Sequence, residues 1–121
     1  MHLKFWTRSF SLATAAVLLV ASCRVQKVPT TTDLPETVTY TAHVKPIIDA
    51  SCGTKCHSAA KKAAGLDLSH YEGVKDEGMN GKILAAIQHL DGAEPMPRLA
   101  PKLDDHSISL IMAWVNGGGL E

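Results

Sequence analysis

Apolar residues recur at helical spacing in three stretches of the chain. In the first, Val44, Ile47 and Ile48 stand at positions i, i+3 and i+4, which lie on one face of an α-helix. Pro46 falls within the first turn, where its missing N–H would have no helical partner in any case. This pattern predicts a helix around residues 44–48.

A second helix is predicted over 79–90 and a third over 104–116. The apolar face of the second is formed by Ile83, Leu84, Ile87 and Leu90. That of the third is formed by Ile108, Ile111, Met112 and Val115. Asp104 and Asp105 suit the start of the third helix because the helix dipole favours negative charge there, and Gly117 favours its end.

Loop-forming residues separate these stretches. Gly81 weakens the start of the second helix, and the segments 65–69 and 91–101 are rich in Gly, Pro and Asp. No alternation of apolar and polar residues extends far enough to predict a strand. The pattern therefore predicts a single all-α, loop-rich domain without internal repeats.

The N-terminal segment has the features of a secretory signal. Lys4 and Arg8 precede an apolar run over 10–21, which is too short to span a bilayer as a stable helix. The run ends in Leu-Val-Ala-Ser-Cys, which resembles a bacterial lipobox with cleavage before Cys23 and lipid on its thiol. An ordinary apolar N-terminal helix is the alternative.

The chain is thereby divided into three parts. Residues 1–22 are the predicted lipoprotein signal peptide, 23–37 the lipidated cysteine and a flexible tether, and 38–121 the folded domain. The tether is rich in Pro and Thr and would extend to about 45 Å. We expect the domain to lie outside the cytoplasm in the bacterial cell envelope, held at a membrane by lipid.

Charge excludes one class of partner. Without Lys4 and Arg8, ten of the twelve basic residues remain against twelve acidic ones. A nucleic-acid-binding domain needs a clear basic excess, so no nucleic-acid partner is expected.

The predicted domain is small and poor in large side chains. Of the two tryptophans, two tyrosines and two phenylalanines of the chain, three lie in the first ten residues. Domains this small commonly depend on a disulfide, a metal or a cofactor for their stability.

A cysteine–histidine cluster suggests that a cofactor stabilises this domain. Cys52, Cys56 and His57 form a C-x-x-x-C-H motif, one residue longer than the usual C-x-x-C-H of covalent haem attachment. Residues three and four apart share a helical face, so both thiols can meet one porphyrin edge. Two other interpretations are a local disulfide and a zinc site completed by a further histidine.

A methionine between two prolines supports the haem interpretation. Pro95 and Pro97 restrict the backbone on both sides of Met96, so the loop can present its sulfur with little flexibility. A soft thioether opposite imidazole suits haem iron and raises its reduction potential. A surface role for Met96 is the alternative, and His89 is the main rival ligand because bis-histidine haems exist.

Together these segments resemble the class I cytochrome c domains attached to bacterial membranes. The resemblance covers roughly residues 40–118. Its segments are VKPII at 44–48, the cysteine–histidine motif at 52–57, GLDLS at 65–69, MP at 96–97 and IMAWVNGG at 111–118.

The resemblance implies a small cytochrome c-like fold of three to four helices with long loops around one haem c. It implies covalent attachment at Cys52 and Cys56. It further implies His57 as the proximal and Met96 as the distal iron ligand. Trp114 would pack where the first and last helices cross.

The function expected from these features is electron transfer, not enzymatic catalysis, with a redox protein or a respiratory complex as partner. Cys23 is assigned to lipid and the other two cysteines to haem, so no thiol is spare. Leu66, Leu68 and Leu99 are candidates for the pocket wall. The alternatives are a haem sensor or enzyme with an open iron position, and a non-haem binding or scaffold lipoprotein.

Overall fold

The structure, a computed structural model, describes residues 34–121. This part is helical and contains no strand, which confirms the all-α prediction. Its α-helices are α1 (Lys45–Ile48), α2 (Tyr71–Met79), α3 (Lys82–Ile87) and α4 (Asp105–Asn116). No helix within 34–121 is long and apolar enough to cross a bilayer. The predicted signal, Cys23 and most of the tether lie outside the described residues.

The first predicted helix is longer than its apolar pattern. It runs over 40–53, with α1 at its centre. Its flanking turns are π-helical, at Tyr40–Val44 and Asp49–Gly53. Thr39 begins it, since the Thr39 hydroxyl oxygen accepts a hydrogen bond from the Ala42 N–H at 3.4 Å. Val44 and Ile48 are fully buried, as their spacing predicted.

The predicted helix over 79–90 is divided in the structure. Met79 is the last residue of α2, and Gly81 adopts a left-handed backbone (φ +76°) that separates α2 from α3. Part of the predicted apolar face persists in α3, where Ile83 and Ile87 are buried, whereas Leu90 lies beyond the helix and is half exposed. A single continuous helix over this range was therefore the wrong prediction.

Helix α2 was not predicted, because it has only two buried positions, Val74 and Gly78. Its glycines allow close packing. A Cβ at Gly73 would lie 2.1 Å from the Asp67 carbonyl oxygen, and one at Gly78 would lie 3.1 Å from the Trp114 ring. Glycine has no side chain, so helix packing through Gly73 and Gly78 leaves no periodic pattern of apolar residues in the sequence.

Helix α4 begins as its aspartates predicted. The Asp104 carboxylate caps it by accepting the Ser107 N–H at 2.9 Å. Ile108 and Ile111 are buried, whereas Met112 is more than a third exposed. The predicted stripe was thus wrong at Met112, because the buried face of α4 is centred on the larger Trp114.

Three aromatic rings join the two ends of the domain. The ring of Tyr40 lies 5.3 Å from that of Tyr71 and 6.0 Å from that of Trp114, between centroids. The Leu120 carbonyl accepts hydrogen bonds from the Tyr40 N–H at 2.8 Å and from the Trp114 indole N–H at 2.7 Å. Trp114 therefore lies where the first helix meets α4, the position that the resemblance implied.

Candidate functional site

One cleft brings together all four residues predicted to bind the cofactor. Cys52, Cys56, His57 and Met96 line a cleft of about 1140 Å³. This volume slightly exceeds the range of about 300–1,000 Å³ that is typical of pockets for small molecules and cofactors. Its apolar wall is formed by Ile48, Leu66, Leu68, Ile83, Ile87 and Leu103.

The cysteine–histidine motif begins within the π-helical turn Asp49–Gly53 that ends the first helix, since Cys52 belongs to that turn. The Cys52 carbonyl accepts hydrogen bonds from two backbone N–H groups, that of Cys56 at 3.2 Å and that of His57 at 3.1 Å. The second bond spans five residues, as in a π-helix. The extra residue of the C-x-x-x-C-H spacing is therefore accommodated in one wide turn.

Neither thiol of this motif forms a disulfide in the described part of the chain. Cys52 is partly buried, and Cys56 is exposed. Burial raises the pKa of the Cys52 thiol to about 11, and the neighbouring Cys56 adds to the increase. Cys52 is thus protonated at neutral pH, unlike the reactive cysteines of redox enzymes, whose pKa values are lowered.

The imidazole of His57 is buried, and one of its ring nitrogens lacks a hydrogen-bond partner. Only 6% of the residue is exposed, and its Nδ1 has no hydrogen-bond partner among residues 34–121. Its backbone is firmly held, because the His57 carbonyl accepts the Leu68 N–H at 2.7 Å. A buried polar nitrogen without a partner is costly and requires an explanation, such as a chemical role or a bound water or ion.

Met96 reaches the cleft from the long loop between α3 and α4. Its N–H donates to the Ala86 carbonyl at 3.0 Å, and its own carbonyl lies 3.1 Å from Nε2 of His89. These two bonds attach the methionine to the end of α3. Met96 is half-buried and lines the cleft.

His89, the rival ligand, does not line the cleft. Its ring is engaged with the Met96 backbone. The pocket wall was also predicted imperfectly, since Leu66 and Leu68 line the cleft but Leu99 is fully exposed. Leu99 has a left-handed backbone (φ +57°) in the exposed segment that follows Pro97.

The cleft also contains charged residues that the sequence pattern did not identify. Lys82 lies 3.4 Å from the Glu77 carboxylate, and Arg98 lies 2.7 Å from that of Glu94. All four of these residues line the cleft. Their positions in the sequence match no known motif, so only the structure shows that these four residues line the same cleft.

The donor set matters for the zinc alternative. Structural zinc takes four Cys, His, Asp or Glu ligands. Over 34–121, no group of three or more such side chains is arranged to hold a metal ion. The donors of His57 and Met96, an imidazole and a thioether, are both among the known ligands of haem iron.

The cleft thus unites a cysteine pair, a buried histidine and a methionine that lies 39 positions after it in the chain. Comparison with known proteins adds no assignment: no family model, no curated protein and no solved structure matches this chain.

Proposed function

We propose that the cleft binds one haem c covalently and that the protein is an electron carrier with a cytochrome c-like fold. The observation that supports this most strongly is the convergence of Cys52, Cys56, His57 and Met96 on one cleft. The first three are sequence neighbours, but Met96 reaches the cleft only through the fold.

The cysteines would hold the cofactor. Each thiol adds across one vinyl group, so that sulfur bonds to one vinyl carbon and the thiol hydrogen is transferred to the other, and no atom is lost. Cys52 and Cys56 form no disulfide within residues 34–121, and the Cys56 N–H donates to the Cys52 carbonyl at 3.2 Å, so the two residues are joined by one turn of backbone.

The histidine and the methionine would hold the iron. The burial of His57 fits an imidazole that would bind the iron of a haem held in the cleft. Haem iron supplies one-electron redox chemistry when bound. Because His57 and Met96 would fill both axial positions, no position remains for a substrate, which favours electron transfer over catalysis.

The proposal includes a place in the cell. We infer a lipoprotein with signal peptide 1–22, lipid on Cys23, and a tether that holds the domain at a membrane of the bacterial envelope. The resemblance to membrane-attached class I cytochrome c domains supports this location. The partners would be other redox proteins or a respiratory complex.

The test is expression of the full chain in bacteria that carry cytochrome c maturation factors. We expect a coloured protein whose intact mass exceeds that of the processed chain by one whole haem. The oxidised form should show the weak band near the red end of the spectrum that reports sulfur ligation. A colourless protein without added mass would overturn the proposal.

A methionine pair sharpens this test. Met96→Ala should abolish the red-end band and leave the pigment attached, because only the distal ligand is removed. Met112→Ala is the matched control, since Met112 lies on α4 and does not line the cleft. Equal spectra for the two variants would exclude Met96 as the ligand.

A further inference from the structure

The end of α3 has an unusual residue at its turning point. His89 adopts a left-handed backbone (φ +56°), the conformation that ends many helices and is normally taken by glycine. The Leu90 N–H donates to the Ala85 carbonyl at 3.0 Å, and the His89 N–H donates to the Ala86 carbonyl at 3.2 Å. These two bonds are those of a Schellman motif. Because His89 has a Cβ atom, its left-handed backbone is strained in a way that a glycine backbone would not be.

The His89 ring has a specific partner. Its Nε2 lies 3.1 Å from the Met96 carbonyl oxygen. A carbonyl oxygen only accepts, so Nε2 carries the hydrogen and donates it. The Ala86 carbonyl accepts the Met96 N–H at 3.0 Å from the same helix end. The backbone of Met96 is consequently held on both sides, its N–H by α3 and its carbonyl by the residue that ends α3.

We propose that His89 is a positioning residue that keeps the Met96 sulfur on the haem iron. This inference rests on the proposed function. The loop around Met96 offers few other attachments, because Glu94, Pro95 and Arg98 to Pro101 are exposed. Without the His89 bond, the loop would leave the cleft more often, and an external ligand would compete with the sulfur more successfully.

The experiment compares His89→Gly and His89→Asn with the wild type in the pigmented full chain. Glycine removes the ring and relieves the backbone strain. Asparagine keeps a side chain that tolerates the left-handed backbone but does not extend as far as the imidazole. The probe is imidazole, titrated against the oxidised protein while the red-end band is followed. His106→Asn is the matched control, because His106 is an exposed histidine of α4 outside the cleft.

Both His89 variants should bind imidazole more tightly by about two- to tenfold, the factor that one net hydrogen bond contributes. His106→Asn should bind it as the wild type does. The thermal midpoint of His89→Gly should not fall, which separates positioning from a general structural role. Unchanged imidazole affinity in both pigmented variants would overturn the positioning role and leave the electron-carrier proposal intact. A colourless wild type would overturn the proposed function itself.

Discussion

Gly73 is the position at which a single methyl group should disturb both the packing of α2 and the cysteine–histidine segment. A Cβ there would lie 2.1 Å from the Asp67 carbonyl oxygen and 3.3 Å from the His70 ring. The Asp67 carbonyl belongs to the same peptide unit as the Leu68 N–H, which donates to the His57 carbonyl at 2.7 Å. Gly73→Ala must therefore displace the peptide unit that holds His57.

The size of the effect follows from three contributions. Overpacking costs about 1–3 kcal/mol, and the collision is with backbone, which gives way poorly. A weakened hydrogen bond to His57 adds about 0.5–1.5 kcal/mol. Replacing a helical glycine by alanine offsets about 0.5–1 kcal/mol. Gly73→Ala should thus lower the free energy of unfolding by about 0.5–4 kcal/mol, with the middle of that range at about 2 kcal/mol.

Thermal unfolding followed by circular dichroism measures this change. For a domain of this size the expected loss lowers Tm by roughly 5–20 °C. Asp76→Ala is the matched control, since Asp76 is an exposed residue of the same helix and should change Tm little. If Gly73→Ala were as stable as the wild type, the close contact between α2 and Asp67 would not exist in the folded protein.

Three further predictions concern the core, the start of α4 and the attachment site. Gly78→Ala should destabilise the domain by up to about 2 kcal/mol in denaturant titration, because the fully buried Trp114 ring 3.1 Å away cannot yield, and helix propensity offsets part of the cost. Asp104→Ala should cost about 0.5–2 kcal/mol through the lost cap. Hydrogen bonds from Ser107 lower the pKa of Asp104, so its ionised form is stabilised by folding. That contribution is present above the ordinary carboxyl pKa and is lost as pH falls through the folded pKa, so the stability difference between wild type and Asp104→Ala should shrink in acid. Cys52→Ser should leave one thioether, and the pyridine spectrum of the denatured pigment should report one unreacted vinyl group.

The sequence predicted the elements whose apolar residues have a regular period. The first helix and α4 carry Val44, Ile48 and Ile111 at helical spacing, and all three are fully buried. Helix α2 could not be predicted in this way, because it packs through Gly73 and Gly78. A glycine that permits close approach leaves no hydrophobic signal, and only the neighbouring chain reveals what it touches.

The candidate site divides along similar lines. Residue chemistry led to the prediction of Cys52, Cys56, His57 and Met96, and the structure places all four around one cleft. The bond between His89 and Met96 could not be found, because it depends on a left-handed backbone at a histidine, where the usual signal is glycine. The wide turn at Cys52 likewise follows from backbone hydrogen bonds that the spacing alone does not specify.

The unequal environments of the two cysteines have a consequence for the protein before it matures. Disulfide formation requires a thiolate, and with a pKa of about 11 only about one Cys52 side chain in ten thousand is ionised at neutral pH. In the oxidising envelope that we propose, the folded chain should therefore close a disulfide between its two cysteines slowly. Burial of one partner would thus delay internal oxidation of the pair, whereas the exposed Cys56 would stay open to external thiol reagents.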